Sequence, residues 1–247
     1  MTDLVLRARR IVTPEGERPG AVRVSGGRIV SVDGFDTLAG TDGTGAPAAE
    51  LTIADDCVLL PGLVDSHVHI NEPGRTEWEG FDSATAAAAA GGITTVVDMP
   101  LNSIPPTVDL AALRVKQQAA EGRVHVDVAF WGGAVPANSV PANSVPANCE
   151  SAGSTGSADV PAGGDLLDLH RAGVTGFKCF LLDSGVSEFP PLDRAGVTAA
   201  MRRIAAFDGL LIAHAEDPAV IAAAPVPAGG RYRAFLASRP DHAETEA

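Results

Sequence analysis

After Cys57, short apolar segments alternate with segments that have helical periodicity. This alternation predicts right-handed strand–helix–strand crossovers and therefore a parallel sheet. The expected strands span 58–65, 93–99, 124–130, 174–181 and 210–215. Since closed parallel barrels have eight strands, the pattern predicts an α/β fold that contains about five of the eight strands of a TIM-type (β/α)8 barrel.

The N-terminal part of the chain has a different pattern, in which branched apolar and polar residues alternate with a period of two. We therefore expect a small, incomplete β-sandwich-like module at 1–57, followed by the barrel part at 58–247. Turns are expected at Gly26, Gly27 and Gly34. A Gly-, Ala- and Thr-rich segment at 39–49 predicts a surface loop.

A short repeat interrupts the barrel part at 135–164, where VPANS occurs twice and is followed by VPANC. A period of five with a proline in each unit fits neither a helix nor a ladder of strands. The segment is therefore interpreted as a disordered insertion between the third strand and its helix.

Composition excludes several classes of function. The net charge of −13 leaves no basic surface for nucleic acid, and no apolar stretch is long enough to cross a membrane. Charged residues near the N-terminus leave no export signal, and three scattered cysteines do not form a disulfide framework. A cytoplasmic protein with a small-molecule substrate is expected, with neither nucleic acid nor membrane as a partner.

Two histidines two residues apart are the first candidate site. His67 and His69 lie at the predicted end of the first barrel strand, and a strand places alternate side chains on the same face. Two imidazoles so placed can chelate one divalent ion, and parallel barrels build their active sites at these strand ends. A pair of surface or core histidines is the alternative interpretation of the same spacing.

Lys178 and His214 belong to the fourth and fifth predicted strands. A lysine in an apolar strand is costly to bury as a charge, so its amine is either modified or used as a ligand, or it reaches solvent or a carboxylate. His214 by itself fits a metal ligand and a buried structural histidine equally well. The coincidence of three such strand ends favours a shared metal site.

Four longer segments carry a family resemblance. They are PGLVDSHVHINEPGRTEWEGFDSATAAAAAGGITTVVDMPLNSIPPTV, VTGFKCFLLDSGVSEFPPLD, LIAHAED and SRPDHAETEA. The pattern resembles the allantoinases, a branch of the cyclic amidohydrolases that also includes dihydroorotases and hydantoinases. It covers nearly the whole chain outside 39–49 and 135–164.

The resemblance implies a site with two divalent metal ions, with zinc as the first choice of metal. It implies that His67 and His69 bind the more buried ion and that His214 binds the second. Lys178, carboxylated by carbon dioxide, would bridge the two ions. The implied reaction is hydrolysis of the cyclic amide of (S)-allantoin to allantoate in purine catabolism. Full-length relatives are expected to form homo-oligomers.

Asn71 separates the members of this family. By resemblance, Asn71 stands where dihydroorotases have the arginine of a His-X-His-X-Arg pattern, and that arginine binds a substrate carboxylate. An asparagine at that place favours an uncharged hydantoin-like ring, because it cannot replace a guanidinium in binding a carboxylate. Asn71 is therefore the candidate substrate-binding residue, and a hydantoinase-like or dihydroorotase-like enzyme is the alternative.

The family pattern also includes a histidine on the sixth strand and a catalytic aspartate on the eighth, and both are expected beyond residue 247. His242 lies in a polar segment at a helix start and is rejected as a substitute, whereas Asp98 and Asp183 are expected to be structural or loop-capping residues. With no catalytic residue of its own, the chain has a second alternative, an inactive fragment or scaffold.

Overall fold

A computed structural model of the chain describes residues 4–38, 40, 48–139 and 165–247. The chain divides into two compact units, Met1–Gly62 and Leu63–Ala247. The first unit extends past the boundary expected at 57 because Leu59 forms a parallel bridge with Ile11. Among the described residues, no helix has the length and apolar character needed to span a bilayer.

The first unit contains one four-stranded sheet in the order β3-β2-β1-β4. Its strands are β1 (Leu4–Thr13), β2 (Gly16–Ser25), β3 (Arg28–Asp33) and β4 (Ala49–Thr52). β1 pairs antiparallel with β2 and parallel with β4. Gly26 and Gly27 have φ values of 58° and 75°, so they form the two-residue turn between β2 and β3 that requires positive φ at both positions.

β2 begins at Gly16 and contains Pro19. A proline lacks the backbone N–H that a ladder of strands needs, so its position in a paired strand requires a local adjustment. The register with β1 shifts between Ala8 and Ile11, opposite this proline. A bulge is a place where a strand tolerates proline, so the local irregularity allows β2 to continue.

The second unit contains two three-stranded sheets, β5-β6-β7 and β8-β9-β10. Their strands are β5 (Leu63–Val68), β6 (Ile93–Asp98), β7 (Asp127–Phe130), β8 (Gly132–Gly133), β9 (Phe177–Phe180) and β10 (Leu211–His214). All pairings are parallel. Only Trp131 separates β7 from β8, so these two segments form one barrel strand, and the two sheets together provide five consecutive barrel strands. The fold class expected from the sequence, part of a TIM-type barrel, is confirmed.

Helices alternate with the strands of the second unit. They are α1 (Phe81–Ala90), α2 (Leu110–Ala120), α3 (Pro136–Ser139), α4 (Leu166–Arg171), α5 (Arg194–Ala205), α6 (Pro218–Ala223), α7 (Tyr232–Ala237) and α8 (His242–Thr245). Four helices begin after an aspartate whose carboxylate accepts a backbone N–H of the first turn: Asp109, Asp165, Asp193 and Asp217. Such caps satisfy amides that have no partner within the helix.

The start of the expected insertion at 135–164 is ordered, so this part of the prediction was wrong. Val135 and Asn138 are 2% exposed, and α3 forms directly after β8. The amide of Asn138 donates to the carbonyls of Val108 and Gly133, each at 2.8 Å, and its Oδ1 accepts from Val135 N at 3.0 Å. These bonds tie the first VPANS unit to β8 and to the loop before α2. The segment 140–164 lies outside the described residues.

The main core of the second unit lies between the sheet and the helices α4 and α5. Phe177 on β9 is fully buried, as are Leu169 of α4 and Ala200 of α5. The outermost strands are less covered, since Leu63 of β5 is 54% exposed and Leu210, next to β10, is also 54% exposed. The best-packed part of the unit is therefore its middle, around β7 to β9.

Candidate metal centre

The carboxyl ends of the parallel strands lie at one edge of the sheet. Val68 pairs with Asp98 and Asp98 pairs with Phe130 across β5, β6 and β7. On the other side of the strand break, Phe180 pairs with His214 across β9 and β10. The register therefore brings the ends of five strands to the same edge, the place where parallel barrels build their sites.

His67 lies within β5, and His69 follows the last residue of that strand. Their ring centroids are 5.4 Å apart with an interplanar angle of 49°. The two imidazoles thus project close to each other, as the spacing predicts. His67 is exposed and His69 is partly buried in the described structure.

Both histidines have lowered pKa values. Burial lowers the pKa of His69 to about 4, and the charges of His67, Lys116 and Lys178 add to the effect. The pKa of His67 is lowered chiefly by burial and then by the charge of Lys178, which Asp65 opposes. Both rings are therefore neutral at pH 7, which is the form that binds metal.

Lys178 lies in β9 and is 5% exposed. Its Nζ is 4.9 Å from the centroid of the Phe180 ring, and within the described ranges it has neither a hydrogen-bond acceptor nor a carboxylate partner. Burial lowers the pKa of this amine. The strand itself is well held, because Ala134 N donates to the Lys178 carbonyl at 2.9 Å. The structure thus places a buried amine without a counter-ion at the candidate site.

His214 is the last residue of β10, as predicted. Its ring stacks on Phe180 at 5.1 Å with an interplanar angle of 10°, so His214 and Lys178 both contact the ring of Phe180. Its Nε2 is 3.0 Å from a carboxylate oxygen of Glu216. His214 is therefore near the other candidate residues, but its Nε2 already has a local partner.

Asn71 lies two residues past His69 and is 8% exposed. Its backbone N–H donates to Glu79 O at 3.1 Å, and its carbonyl accepts from Arg75 N at 2.9 Å. The side-chain amide makes no hydrogen bond with the part of the chain that the structure describes. Asn71 is therefore fixed through its backbone, while its amide is free to meet a ligand.

Asp98 and Lys116 form a buried pair that sequence reasoning did not find. Lys116 Nζ is 2.6 Å from Asp98 Oδ2, and the two side chains are 1% and 0% exposed. Burial raises the pKa of Asp98 to about 6, and the ammonium of Lys116 opposes this shift. Lys116 lies in α2 and looks like a helix-surface residue, so only its position on the same helical face as the buried Leu113 and Ala120 could have signalled that it is buried.

The other acidic and imidazole groups considered from the sequence lie elsewhere. Asp183 Oδ1 accepts from Gly185 N at 3.0 Å, which is the loop-capping role expected for it. His242 begins α8, in the segment interpreted as a helix start. Neither residue provides a further ligand for the candidate site.

The histidines of the candidate site are of the kind that divalent ions such as zinc accept as ligands. His69 Nδ1 is buried and has no hydrogen-bond partner in the described structure, so a neutral lone pair is left unused. Nitrogen ligands from histidine with a carboxylate-type oxygen suit zinc and related metals. The described residues contain no ready cluster of three or more His, Cys, Asp or Glu side chains for a metal. A complete ligand set thus depends on Lys178 acting as a ligand.

The fold and the site together define a β/α-barrel protein with a candidate metal centre at the carboxyl ends of its strands. A model of the amidohydrolase family matches residues 58–207. The chain belongs to the amidohydrolase family.

Several curated relatives are similar over most of the chain. An allantoinase of Streptomyces avermitilis is 52% identical over 246 residues, which is 99% of this chain and 48% of the relative. An allantoinase of Saccharomyces cerevisiae is 48% identical over 193 residues, covering 77% of this chain and 37% of the relative. The chain therefore spans about half the length of these relatives.

Solved structures give the same fold. The L-hydantoinase (dihydropyrimidinase) from Arthrobacter aurescens matches with a TM-score of 0.76 and 27% identity, covering 100% of this chain and 49% of that protein. A dihydropyrimidinase from Brevibacillus agri matches with a TM-score of 0.69 and 22% identity, which concerns the fold alone.

Proposed function

We propose that this chain carries the N-terminal half of an allantoinase, which hydrolyses the cyclic amide of (S)-allantoin to allantoate in purine catabolism. The observation that carries the proposal is the 52% identity to the Streptomyces avermitilis allantoinase over 99% of the chain. The identity to the Arthrobacter aurescens L-hydantoinase over the same length is only 27%. Since the fold is common to both, this difference favours the allantoinase substrate.

In this proposal, His67 and His69 would hold one divalent ion, His214 would hold a second, and Lys178 would be a ligand common to both. Zinc is the proposed metal because neutral imidazole and carboxylate-type oxygen suit it. When bound, the ions supply Lewis-acid polarisation of the ring carbonyl and lower the pKa of water. The neutral state of His67 and His69 supports this role, because their lowered pKa values leave both lone pairs free at pH 7.

Lys178 is proposed to react with carbon dioxide before it binds metal. The lone pair of the neutral amine forms an N–C bond, one C=O electron pair moves to oxygen, and an N–H proton leaves to solvent. The product is a carbamate anion. Burial favours this reaction, because it lowers the pKa of Lys178 and so raises the fraction of neutral amine. Carboxylation also replaces a buried amine that has no counter-ion in the described structure.

Asn71 is proposed to contact the uncharged substrate ring. Its backbone is fixed by Glu79 and Arg75, and its amide has no partner among the described residues. A carboxamide can donate to a ring carbonyl and accept from a ring N–H, but it cannot pair with a carboxylate as an arginine does. A neutral cyclic ureide therefore fits this position better than dihydroorotate does.

A hydantoinase-like activity is the second candidate, favoured by the TM-score of 0.76 to the Arthrobacter aurescens L-hydantoinase. An inactive scaffold is a third candidate, since the chain spans about half of its curated relatives. A cytoplasmic location and homo-oligomeric assembly of the full-length protein are also proposed. The relative from Aquarana catesbeiana is a mitochondrial allantoinase, so a location outside the cytoplasm is the alternative.

The test combines metal analysis with hydrolysis assays on the purified chain. Zinc is titrated in the presence of ¹³C-labelled bicarbonate, and carbamate is detected by NMR; allantoin, hydantoin and dihydroorotate are then compared as substrates. We expect zinc binding, a carbamate signal that the Lys178→Ala variant lacks, and a preference for allantoin over the other two rings in any hydrolysis that is detected. The His67→Ala variant should bind zinc more weakly. The matched control, His242→Ala, should bind zinc as the wild type does.

Each alternative gives a different result. Hydrolysis of hydantoin or dihydroorotate without hydrolysis of allantoin would contradict the substrate assignment. Zinc and carbamate in the absence of any hydrolysis would support the inactive scaffold. Equal zinc binding by the His67→Ala and His242→Ala variants would contradict the proposed ligands.

A further inference from the structure

The backbone on both sides of His69 is held by the end of the neighbouring strand β6. Met99 N donates to the carbonyl of Val68 at 2.8 Å. Ile70 N donates to Asp98 Oδ1 at 2.7 Å in a buried contact. These two bonds engage the two peptide groups that flank the Cα of His69. Because the planes of these peptides set φ and ψ, they also set the direction of the His69 side chain.

The second of these bonds is unusual because it replaces a ladder bond. β5 ends at Val68, so the N–H of Ile70 lies beyond the regular pairing of β5 and β6. A buried N–H without an acceptor is costly. The carboxylate of Asp98 provides the acceptor and extends the connection between the strands by one hydrogen bond, directly after the candidate ligand.

Lys116 holds the Asp98 carboxylate in this orientation. Its Nζ lies 2.6 Å from Asp98 Oδ2 and donates to Met99 O at 3.1 Å and to Ser103 Oγ at 3.0 Å. All three contacts belong to the end of β6 and the loop after it. The lysine therefore fixes the carboxylate from the side opposite to Ile70, and α2 carries the anchor for the end of β5.

A need for stability alone does not explain this arrangement. Replacing a buried ion pair by well-packed apolar residues is often neutral or stabilising, because both charges lose their hydration. A pair that is 0% and 1% exposed is therefore weak evidence of a stabilising role. Its distinguishing property is direction, since one carboxylate oxygen faces the lysine and the other faces the peptide after His69.

We propose that Asp98, held by Lys116, is a positioning residue that aims His69 at the metal through the backbone N–H of Ile70. This role rests on the proposed function, because it gives the orientation of a proposed ligand. It assigns to Asp98 no contact with substrate or metal. Groups that orient metal ligands typically change metal affinity by about 10–100-fold when they are removed.

The test compares two double variants of the full chain that both lack the ion pair. Asp98→Asn with Lys116→Met keeps an oxygen that can accept from Ile70 N, whereas Asp98→Leu with Lys116→Met has a similar volume and no acceptor. Cobalt(II) affinity is measured by visible absorption, and hydrogen exchange of the Ile70 amide is measured in the metal-free protein. The thermal transitions of both variants are recorded so that affinities are compared on folded protein.

We expect the asparagine variant to bind cobalt within about three-fold of the wild type, and the leucine variant to bind about 10–100-fold more weakly. The Ile70 amide should exchange slowly in the former and quickly in the latter. If the leucine variant does not fold, Asp98→Ser with Lys116→Met takes its place, because a serine hydroxyl is too short to reach Ile70 N.

The outcomes separate this role from the proposed function. Equal cobalt affinity of the two double variants, with normal binding by the wild type, would overturn the positioning role alone. A wild-type chain that binds no cobalt would overturn the proposed metal site and the positioning role together. Unequal affinity with equal Ile70 exchange would also overturn the role, because the effect would then not pass through this amide.

Discussion

Two buried lysines in the same barrel part should respond in opposite ways to the same substitution. Lys116 is 1% exposed and pairs with Asp98 at 2.6 Å. Lys178 is 5% exposed and has no carboxylate partner among the described residues. Methionine has a similar length and no charge, so Lys116→Met and Lys178→Met remove the same group from two different surroundings.

In the metal-free protein without carbamate, Lys178→Met should raise the free energy of unfolding. The substitution removes the cost of burying an amine without a counter-ion. The lost cation–π contact with Phe180, 4.9 Å away, is worth about 0.5–2 kcal/mol. A contact between the methionine sulfur and the same ring contributes about 0.3–1.5 kcal/mol and so offsets part of this loss. The expected net gain is about 0.5–2 kcal/mol, the range common when a functional residue is replaced by one that suits the fold.

Lys116→Met should lower the free energy of unfolding by about 3–5 kcal/mol, because it leaves the Asp98 carboxylate buried and uncompensated. A unit of this size shifts its Tm by roughly 2–4 °C for each kcal/mol. The two variants should therefore differ in the sign of the shift, with Lys116→Met losing at least about 6 °C. The double variant Asp98→Asn with Lys116→Met should recover most of the loss, since no buried charge remains.

Thermal and urea unfolding in the presence of a chelator, in buffer free of bicarbonate, measure these differences. Trp131 is 5% exposed and reports on the barrel part, and a Trp78→Phe background removes the signal of the exposed second tryptophan. A loss of stability on Lys178→Met comparable to that of Lys116→Met would refute the reasoning. It would mean that the amine of Lys178 has a stabilising partner in the folded metal-free protein.

Two further substitutions test the packing that supports the site. Gly133→Ala should lower the free energy of unfolding by about 1–3 kcal/mol through overpacking, because an added Cβ would lie 2.5 Å from Phe189 Cε2. Gly230→Ala is the control in the same urea titration, because nothing lies within 4 Å of its added Cβ. Glu72→Ala should cost about 1–3 kcal/mol, because Glu72 accepts from Phe81 N at 2.9 Å where α1 has no side-chain cap of its own. Equal midpoints for both glycine variants, or an unchanged midpoint for Glu72→Ala, would contradict these assignments.

The course of the barrel strands could be predicted from the sequence because parallel strands buried on both faces are continuously apolar. The same signal places strand ends imprecisely. β5 ends at Val68, three residues beyond the expected end at 65. The prediction ended the strand too early because Ser66 and His67 interrupt the apolar pattern. Their backbone is nevertheless held, since the indole N–H of Trp131 donates to Ser66 O at 2.9 Å. Such a contact between distant residues leaves no local mark in the sequence.

The candidate ligands were predictable for a different reason. His67, His69 and His214 are polar residues at the ends of apolar strands, where a local pattern identifies them. The residues that hold them in place are less visible. Lys116 looks like an ordinary charge on an amphipathic helix; its position on the buried face of α2 is a weak sign of burial, and its partner Asp98 follows only from the packing of α2 against the end of β6. Sequence reasoning therefore finds the groups that can bind and misses the groups that orient them.

The two sides of the candidate site differ in how firmly this chain holds them. On one side, both peptides next to His69 are bonded to β6, and Lys178 lies in a central strand bonded to β8 and β10. On the other side, His214 ends the outermost described strand, is exposed, and has its Nε2 on Glu216. In the proposed site, an ion bound through His214 Nε2 would have to displace this carboxylate, whereas His69 Nδ1 has no described partner to lose. We therefore expect the proposed ion at His67 and His69 to bind before the proposed ion at His214, because its ligands need less rearrangement.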